Sequence, residues 1–163
     1  EGADTITAGA GSDSIVLTET TAAIDTVVFD SLSGSDTITG FGNSDQLNVN
    51  GLLNSGDVVF TTSGSANIFQ AFSGTGTATD DTIVLSTGTA ALSATEAAAL
   101  FAASSADDDD MVLAADDSVI MVRQDNDGTD YSDQIWHIDT VGSTVTATLL
   151  ATIDDTLVIA DFV

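Results

Sequence analysis

The chain is 163 residues long, enough for one domain or for one domain with a distinct second lobe. Hydrophobic residues make up 43%, which excludes plain disorder, and no apolar run approaches the roughly 20 residues that span a bilayer. Twenty-six acidic residues face a single cation, Arg123, for a net charge of −25; that balance excludes nucleic acid and anionic membrane surfaces, which are bound through Lys and Arg.

The front of the chain repeats itself. Gly2-Ala3-Asp4-Thr5-Ile6-Thr7 and Gly11-Ser12-Asp13-Ser14-Ile15-Val16 are offset by nine residues. The same offset relates Gly34-Ser35-Asp36-Thr37-Ile38-Thr39 to Asn43-Ser44-Asp45-Gln46-Leu47-Asn48. Asp25-Thr26-Val27 stands between the pairs, so five times an Asp is followed two residues later by Ile, Val or Leu. The glycine-rich half of such a unit supplies turns with positive φ and lets backbone carbonyls approach an ion. The Asp adds a charged oxygen, and the short strand after it points its aliphatic residue inward. No single turn buries its own core, so turns of this kind stack into two parallel ladders. With alternate turns sharing a side, Asp4, Asp25 and Asp45 line one edge, and Asp13 and Asp36 line the other. The ion-holding residues expected are Asp4, Gly9, Gly11, Asp13, Asp25, Gly34, Asp36, Asn43 and Asp45. Turn formation by the same aspartates, through their own backbone, is the competing reading.

This segment resembles the repeats-in-toxin (RTX) family, whose nonapeptide G-G-x-G-x-D-x-U-x forms a parallel calcium β-roll. Ala8-Gly9-Ala10-Gly11-Ser12-Asp13-Ser14-Ile15-Val16 is the complete copy, with Ala8 in place of the first glycine. Asp36-Thr37-Ile38-Thr39-Gly40-Phe41 followed by Asp45-Gln46-Leu47 is similar to the way the family closes its roll. Ser31-Leu32-Ser33 departs from the glycine half, and Asn43 stands where glycine is expected. The resemblance covers residues 1 to about 50 and implies several calcium ions held between successive turns. Calcium would also answer the charge, because repulsion among so many acids opposes a compact state and a hard divalent cation with oxygen ligands relieves it. An acidic surface adapted to high salt is the alternative. With no cysteine in the chain, neither disulfides nor thiolate metal sites contribute.

Residues 51–163 read as a β-rich capping lobe. Candidate strands run over 57–62, 66–72 and 81–86. Ser93-Ala94-Thr95-Glu96 is a capping box that opens the one short helix, continued by Ala97 to Ala103. Asp107 to Asp110 reads as an acidic loop. Strands are expected over 118–123 and 133–139, with Asp127-Gly128 as a hairpin signal. The acids of that loop miss the EF-hand spacing, since Arg123 would fall where Asp is required. Strands over 143–150 and 156–160 finish the chain. Asp80-Asp81, Asp116-Asp117 and Asp154-Asp155 read as turns that each open an aliphatic strand. His137, the sole histidine, lies between Trp136 and Ile138 in a strand and reads as structural.

The expected fold class is mainly β: a short parallel calcium β-roll followed by a mostly β capping lobe with one short helix. A nucleophile-base pair could be built only on His137, and no Gly-rich loop carries a phosphate-binding Lys, so no enzyme is expected. Glu1-Gly2-Ala3-Asp4 falls in mid-pattern, so the chain reads as part of a longer protein. Leu157 to Val163, an apolar segment ending in an acid and two hydrophobes, looks like the uncleaved signal that a type I exporter reads at the C-terminus of RTX proteins. The functional expectation is a calcium-dependent folding, export and anchoring module at a bacterial cell surface, with self-assembly as in a surface layer or adhesin. The folding and secretion tail of a secreted hydrolase, or a β-domain that binds a cell-surface glycan, are the alternatives.

Overall fold

The computed structural model describes residues 2–42, 44–52, 70–71, 76–78, 83–88, 90–101, 111–113, 116, 118–125 and 132–163. Among these the chain is mainly β, with one short helix. The front holds five short strands: β1 Thr5–Thr7, β2 Ser14–Val16, β3 Thr26–Val28, β4 Asp36–Thr39 and β5 Gln46–Asn48. Each carries the aliphatic residue of an Asp-x-aliphatic unit, namely Ile6, Ile15, Val27, Ile38 or Leu47. Sequence neighbours do not pair. Instead β1, β3 and β5 form a parallel sheet in which Ile6 is opposite Val27 and Val27 opposite Leu47. On the other side β2 pairs in parallel with β4, Ile15 opposite Ile38. In a strand this short, the period of two turns one residue inward and leaves its neighbours outside. Val27, Ile38 and Leu47 are accordingly fully buried.

The later strands are longer. After β6 Gln70–Ala71, β7 Gly76–Ala78, β8 Ile83–Gly88, helix α1 Ala94–Ala99 and β9 Met111–Leu113 come β10 Ser118–Asp125, β11 Asp133–Val141 and β12 Thr144–Ile153. β10, β11 and β12 pair antiparallel, with a bulge between Ile135 and Trp136. β8 joins β10 in parallel, and the end of β12 joins β4 in parallel, Ile153 opposite Ile38. One sheet therefore runs β2-β4-β12-β11-β10-β8-β6, across the end of the repeat. Along β10 and β11 both of its faces are buried. One face shares a core with the front strands, including Ile15, Ile38, Leu47, Ile120, Ile135, Ile153 and Leu157. The other packs Val119, Met121, Trp136 and Ile138 against Ala97 and Phe101 of the helical region.

The capping box at Ser93 is present, with Ser93 accepting from the Glu96 amide and Glu96 accepting from the Ser93 amide. The helix stops at Ala99 with Leu100 as its C-cap, short of the expected Ala103. β12 extends past Leu150 to Ile153 because its last three residues are those that pair with β4.

The strand expected over 156–160 is not formed, and Ile159–Asp161 is a turn of 3₁₀ helix. Polar side chains take the backbone groups that a strand would need. Asp133 Oδ2 accepts the Leu157 amide at 2.8 Å, and Gln124 Nε2 donates to the Leu157 carbonyl at 2.7 Å. Asp161 Oδ2 accepts the Val158 amide at 2.7 Å and closes the turn. Asp154-Asp155 thus end a strand rather than open one. The expected strand over 57–62, most of that over 66–72, Asp80-Asp81, the Asp107 to Asp110 run and the Asp127-Gly128 turn lie outside the described residues.

Candidate metal centre

The parallel register stacks the repeat's aspartates in two columns. Asp4, Asp25 and Asp45 lie just before β1, β3 and β5, while Asp13 lies just before β2 and Asp36 is the first residue of β4. Within each column one bond recurs. The Asp4 amide donates to Asp25 Oδ1 at 2.8 Å, the Asp25 amide to Asp45 Oδ1 at 2.9 Å, and the Asp13 amide to Asp36 Oδ1 at 2.9 Å. Backbone bonds accompany it, from Thr26 to the Asp4 carbonyl, from Gln46 to that of Asp25, and from Thr37 to that of Asp13. Asp25, Asp36 and Asp45 are buried, whereas Asp4 and Asp13 are exposed. Burial holds the Asp36 carboxyl above its ordinary value; the Asp13 amide opposes that shift and the Asp13 charge adds to it.

Gly9, Gly11 and Gly34 all take positive φ, and two of them stack. The Gly11 amide donates to the Ser33 carbonyl at 2.7 Å, and the Ser35 amide to Ser12 Oγ at 3.1 Å. A Cβ at Gly34 would lie 1.7 Å from the Gly11 carbonyl oxygen, so this approach is open only to glycine. Asn43 lies outside the described residues.

Acids from elsewhere in the chain join the other edge, and sequence spacing gave no signal for them. Both oxygens of Asp154 accept the Gly40 amide, at 2.9 and 3.1 Å, across a separation of 114 residues. The pairing of β12 with β4 delivers it there. Asp155 lies against Gly42, whose amide donates to Asp45 Oδ2 at 3.1 Å. Burial raises the Asp161 carboxyl, the Val158 amide opposes that shift, and the charges of Asp155 and Asp45 add to it. Glu19 bridges nearer neighbours, accepting the Gly2 and Ala23 amides.

Every side-chain donor in the two columns is a carboxylate oxygen, the ligand type of a hard divalent cation. One oxygen of Asp25 and one of Asp36 accept an amide, and a carboxylate has two oxygens with roughly four lone-pair sites, so capacity for an ion remains. Among the described residues no three acidic or imidazole side chains gather closely enough to hold an ion by themselves. An ion between turns would draw part of its shell from backbone carbonyls. Comparison with known protein families, curated proteins and solved structures finds no match to this chain.

Proposed function

We propose that residues 1 to about 50 are a short calcium β-roll of the RTX kind, and that it is the folding switch of a bacterial protein exported to the cell surface or beyond. The observation that carries this reading is the pair of aspartate columns on parallel ladders, in a chain whose charge is −25. Like charges stacked rung on rung oppose the fold. Calcium between the turns, held by Asp4, Asp13, Asp25, Asp36 and Asp45 with neighbouring carbonyls, would remove that opposition and supply positive charge.

Inside a cell, where calcium is scarce, the roll would stay open and pass through an exporter that reads the segment from Leu157 to Val163. Outside, calcium is millimolar. Dissociation constants of extracellular modules are on the order of 10⁻⁴ M at the tight end, so each site would add about 1.4 kcal/mol of stability by mass action. The module's work is folding, export and anchoring, with self-assembly as the form of anchoring, and it carries no chemistry of its own. Its sole histidine, His137, is buried in the middle of β11, which supports a structural role.

Far-UV circular dichroism during a calcium titration, with magnesium as the control, tests the proposal. We expect β-structure to grow with calcium between about 0.1 and 1 mM and to respond little to magnesium. An equally folded protein in excess chelator would overturn it, and the aspartates would then be turn and ladder formers alone.

A further inference from the structure

Asn50-Gly51 is the one place in the sequence where glycine follows asparagine; the other asparagines precede Ser, Val, Ile or Asp. The pair opens a turn of 3₁₀ helix, Asn50–Leu52, just after β5. The fold gives no reason for a glycine there. Gly51 is not among the glycines with positive φ, and a Cβ would meet its nearest atom, the Phe29 carbonyl oxygen, at 3.5 Å, an ordinary contact. Glycine inside a helical turn also loses more conformational freedom on folding than alanine does. What glycine supplies is a backbone nitrogen with no side chain beside it. Gly51 is exposed, and its amide donates to no acceptor among the described residues. The carboxamide next to it has a structural task. Asn50 Nδ2 donates to the Val163 carbonyl at 3.3 Å. That bond lies beside the one from the Val163 amide to the Leu47 carbonyl, at 3.0 Å, and the bridge between Phe162 and Leu47. Asn50 thus helps to hold Phe162 and Val163 on β5.

We infer that Asn50 is a self-modification site, and that loss of its carboxamide frees Phe162 and Val163 from β5. The Gly51 nitrogen gives up its proton to solvent and bonds to Asn50 Cγ. The Cγ–Nδ2 bond breaks, and Nδ2 leaves as ammonia. Water then opens the cyclic imide at either of its carbonyls, which leaves aspartate or its β-linked isomer. One water enters and one ammonia leaves, with no oxidant, reductant or other reactant. The product reverses the contact. A donor becomes an acceptor-only carboxylate facing the Val163 carbonyl, in a chain whose charge is already −25. The β-linked isomer also inserts a methylene into the backbone just after β5. The rest of the C-terminal segment keeps its ties, from Asp133 and Gln124 to Leu157 and from Asp161 to Val158, so the release is confined to its end. No step uses calcium, and the inference stands apart from the folding switch.

The test incubates the full chain at mildly alkaline pH with calcium present throughout. Peptide mapping by mass spectrometry follows conversion at each asparagine, and amide hydrogen exchange by NMR follows Val163. We expect the mass gain of exchanging an amino group for a hydroxyl, at Asn50 ahead of every other asparagine and with both aspartyl isomers present. Loss of protection at the Val163 amide should keep step with it. Gly51→Ala should keep the fold and the Val163 protection, and lose most of the conversion. Asn50→Asp should show fast exchange at Val163 from the start, while the Leu17 amide, bonded to the Thr39 carbonyl, stays protected. An Asn50 that stays intact in the folded protein while a denatured control converts would overturn the inference. Equal conversion in Gly51→Ala would do the same, as would conversion that leaves Val163 protected. Fast exchange at Leu17 as well in Asn50→Asp would refute a release confined to the C-terminal residues.

Discussion

The front of the molecule and its long-strand half use the same backbone bonding with different supports. β1, β2, β3 and β5 are three residues long and β4 is four, so each strand offers one or two inward side chains and few ladder bonds. Aspartate carboxylates that reach across to the amide of the preceding rung make up part of the difference. β10, β11 and β12 are eight, nine and ten residues long, and pair antiparallel with side chains buried on both faces. A short-rung stack thus depends on its turns and on its neighbours, and a long-strand sheet depends on its own cross-strand packing. The two are nevertheless joined through one continuous sheet and one shared core.

The sharpest way to break this comparison is to make a cavity on the rung side and read it from the sheet side. Leu47 is wholly buried in the shared core. Leu47→Ala should cost roughly 2–5 kcal/mol, and the fluorescence of Trp136, which packs on the far face of the sheet, should report the full loss in a denaturant titration. An unmoved Trp136 transition would mean that the halves unfold independently. Next in size is the stacked glycine. Gly34→Ala should cost roughly 1–3 kcal/mol, because its Cβ meets backbone that has no rotamer by which to yield. Gly9→Ala is the control, with positive φ but nothing within 4 Å, and thermal denaturation should show the smaller loss.

Asp45→Ala sharpens the role of the carboxylates. It leaves the Asp25 and Gly42 amides without their acceptor and should cost about 1–2 kcal/mol. Asp45→Asn keeps an acceptor oxygen and should cost less; equal losses in chelator would refute the ladder role. Smallest is the helix cap, where Ser93→Ala should cost about 1 kcal/mol. Its partner sets a pH signature. The Ser93 amide and hydroxyl hold the Glu96 carboxyl below its ordinary 4.5. Its contribution is therefore complete above that value and lost as pH falls through the lowered folded-state value. Asp161 has the opposite sign, since burial raises it, so its ionisation weighs against the fold as pH rises through its raised value. Comparing Glu96→Gln and Asp161→Asn across pH 3 to 7 should separate the two slopes.

Much of the front was legible because its information is local. Nine-residue spacing and an aliphatic residue two places after each Asp are enough to mark β1, β2, β3, β4 and β5. They also mark the split of the aspartates into two columns, since alternate turns must face the same way. The capping box is equally local, and Ser93 and Glu96 form it as read. The end of β12 and the C-terminal segment were not legible. Nothing around Ala151, Thr152 and Ile153 announces that they pair with β4, and the aliphatic run at 156–160 has the pattern of a strand. It is kept from being one by Asp133, Gln124 and Asp161, whose side chains take its backbone groups.

By itself, then, the sequence determined the rung pattern, the placement of acid before each inward aliphatic, and the excess charge that any compact form must offset. Those follow from residue types and short spacings, which act within one turn of chain. Only the tertiary structure decided which rung stacks on which end, that Asp154 and Asp155 close the edge at Gly40 and Gly42, and that the C-terminus lies on Leu47. Those depend on the long sheet finding the short one, and a contact across 114 residues is set by shape, register and burial that no local pattern encodes.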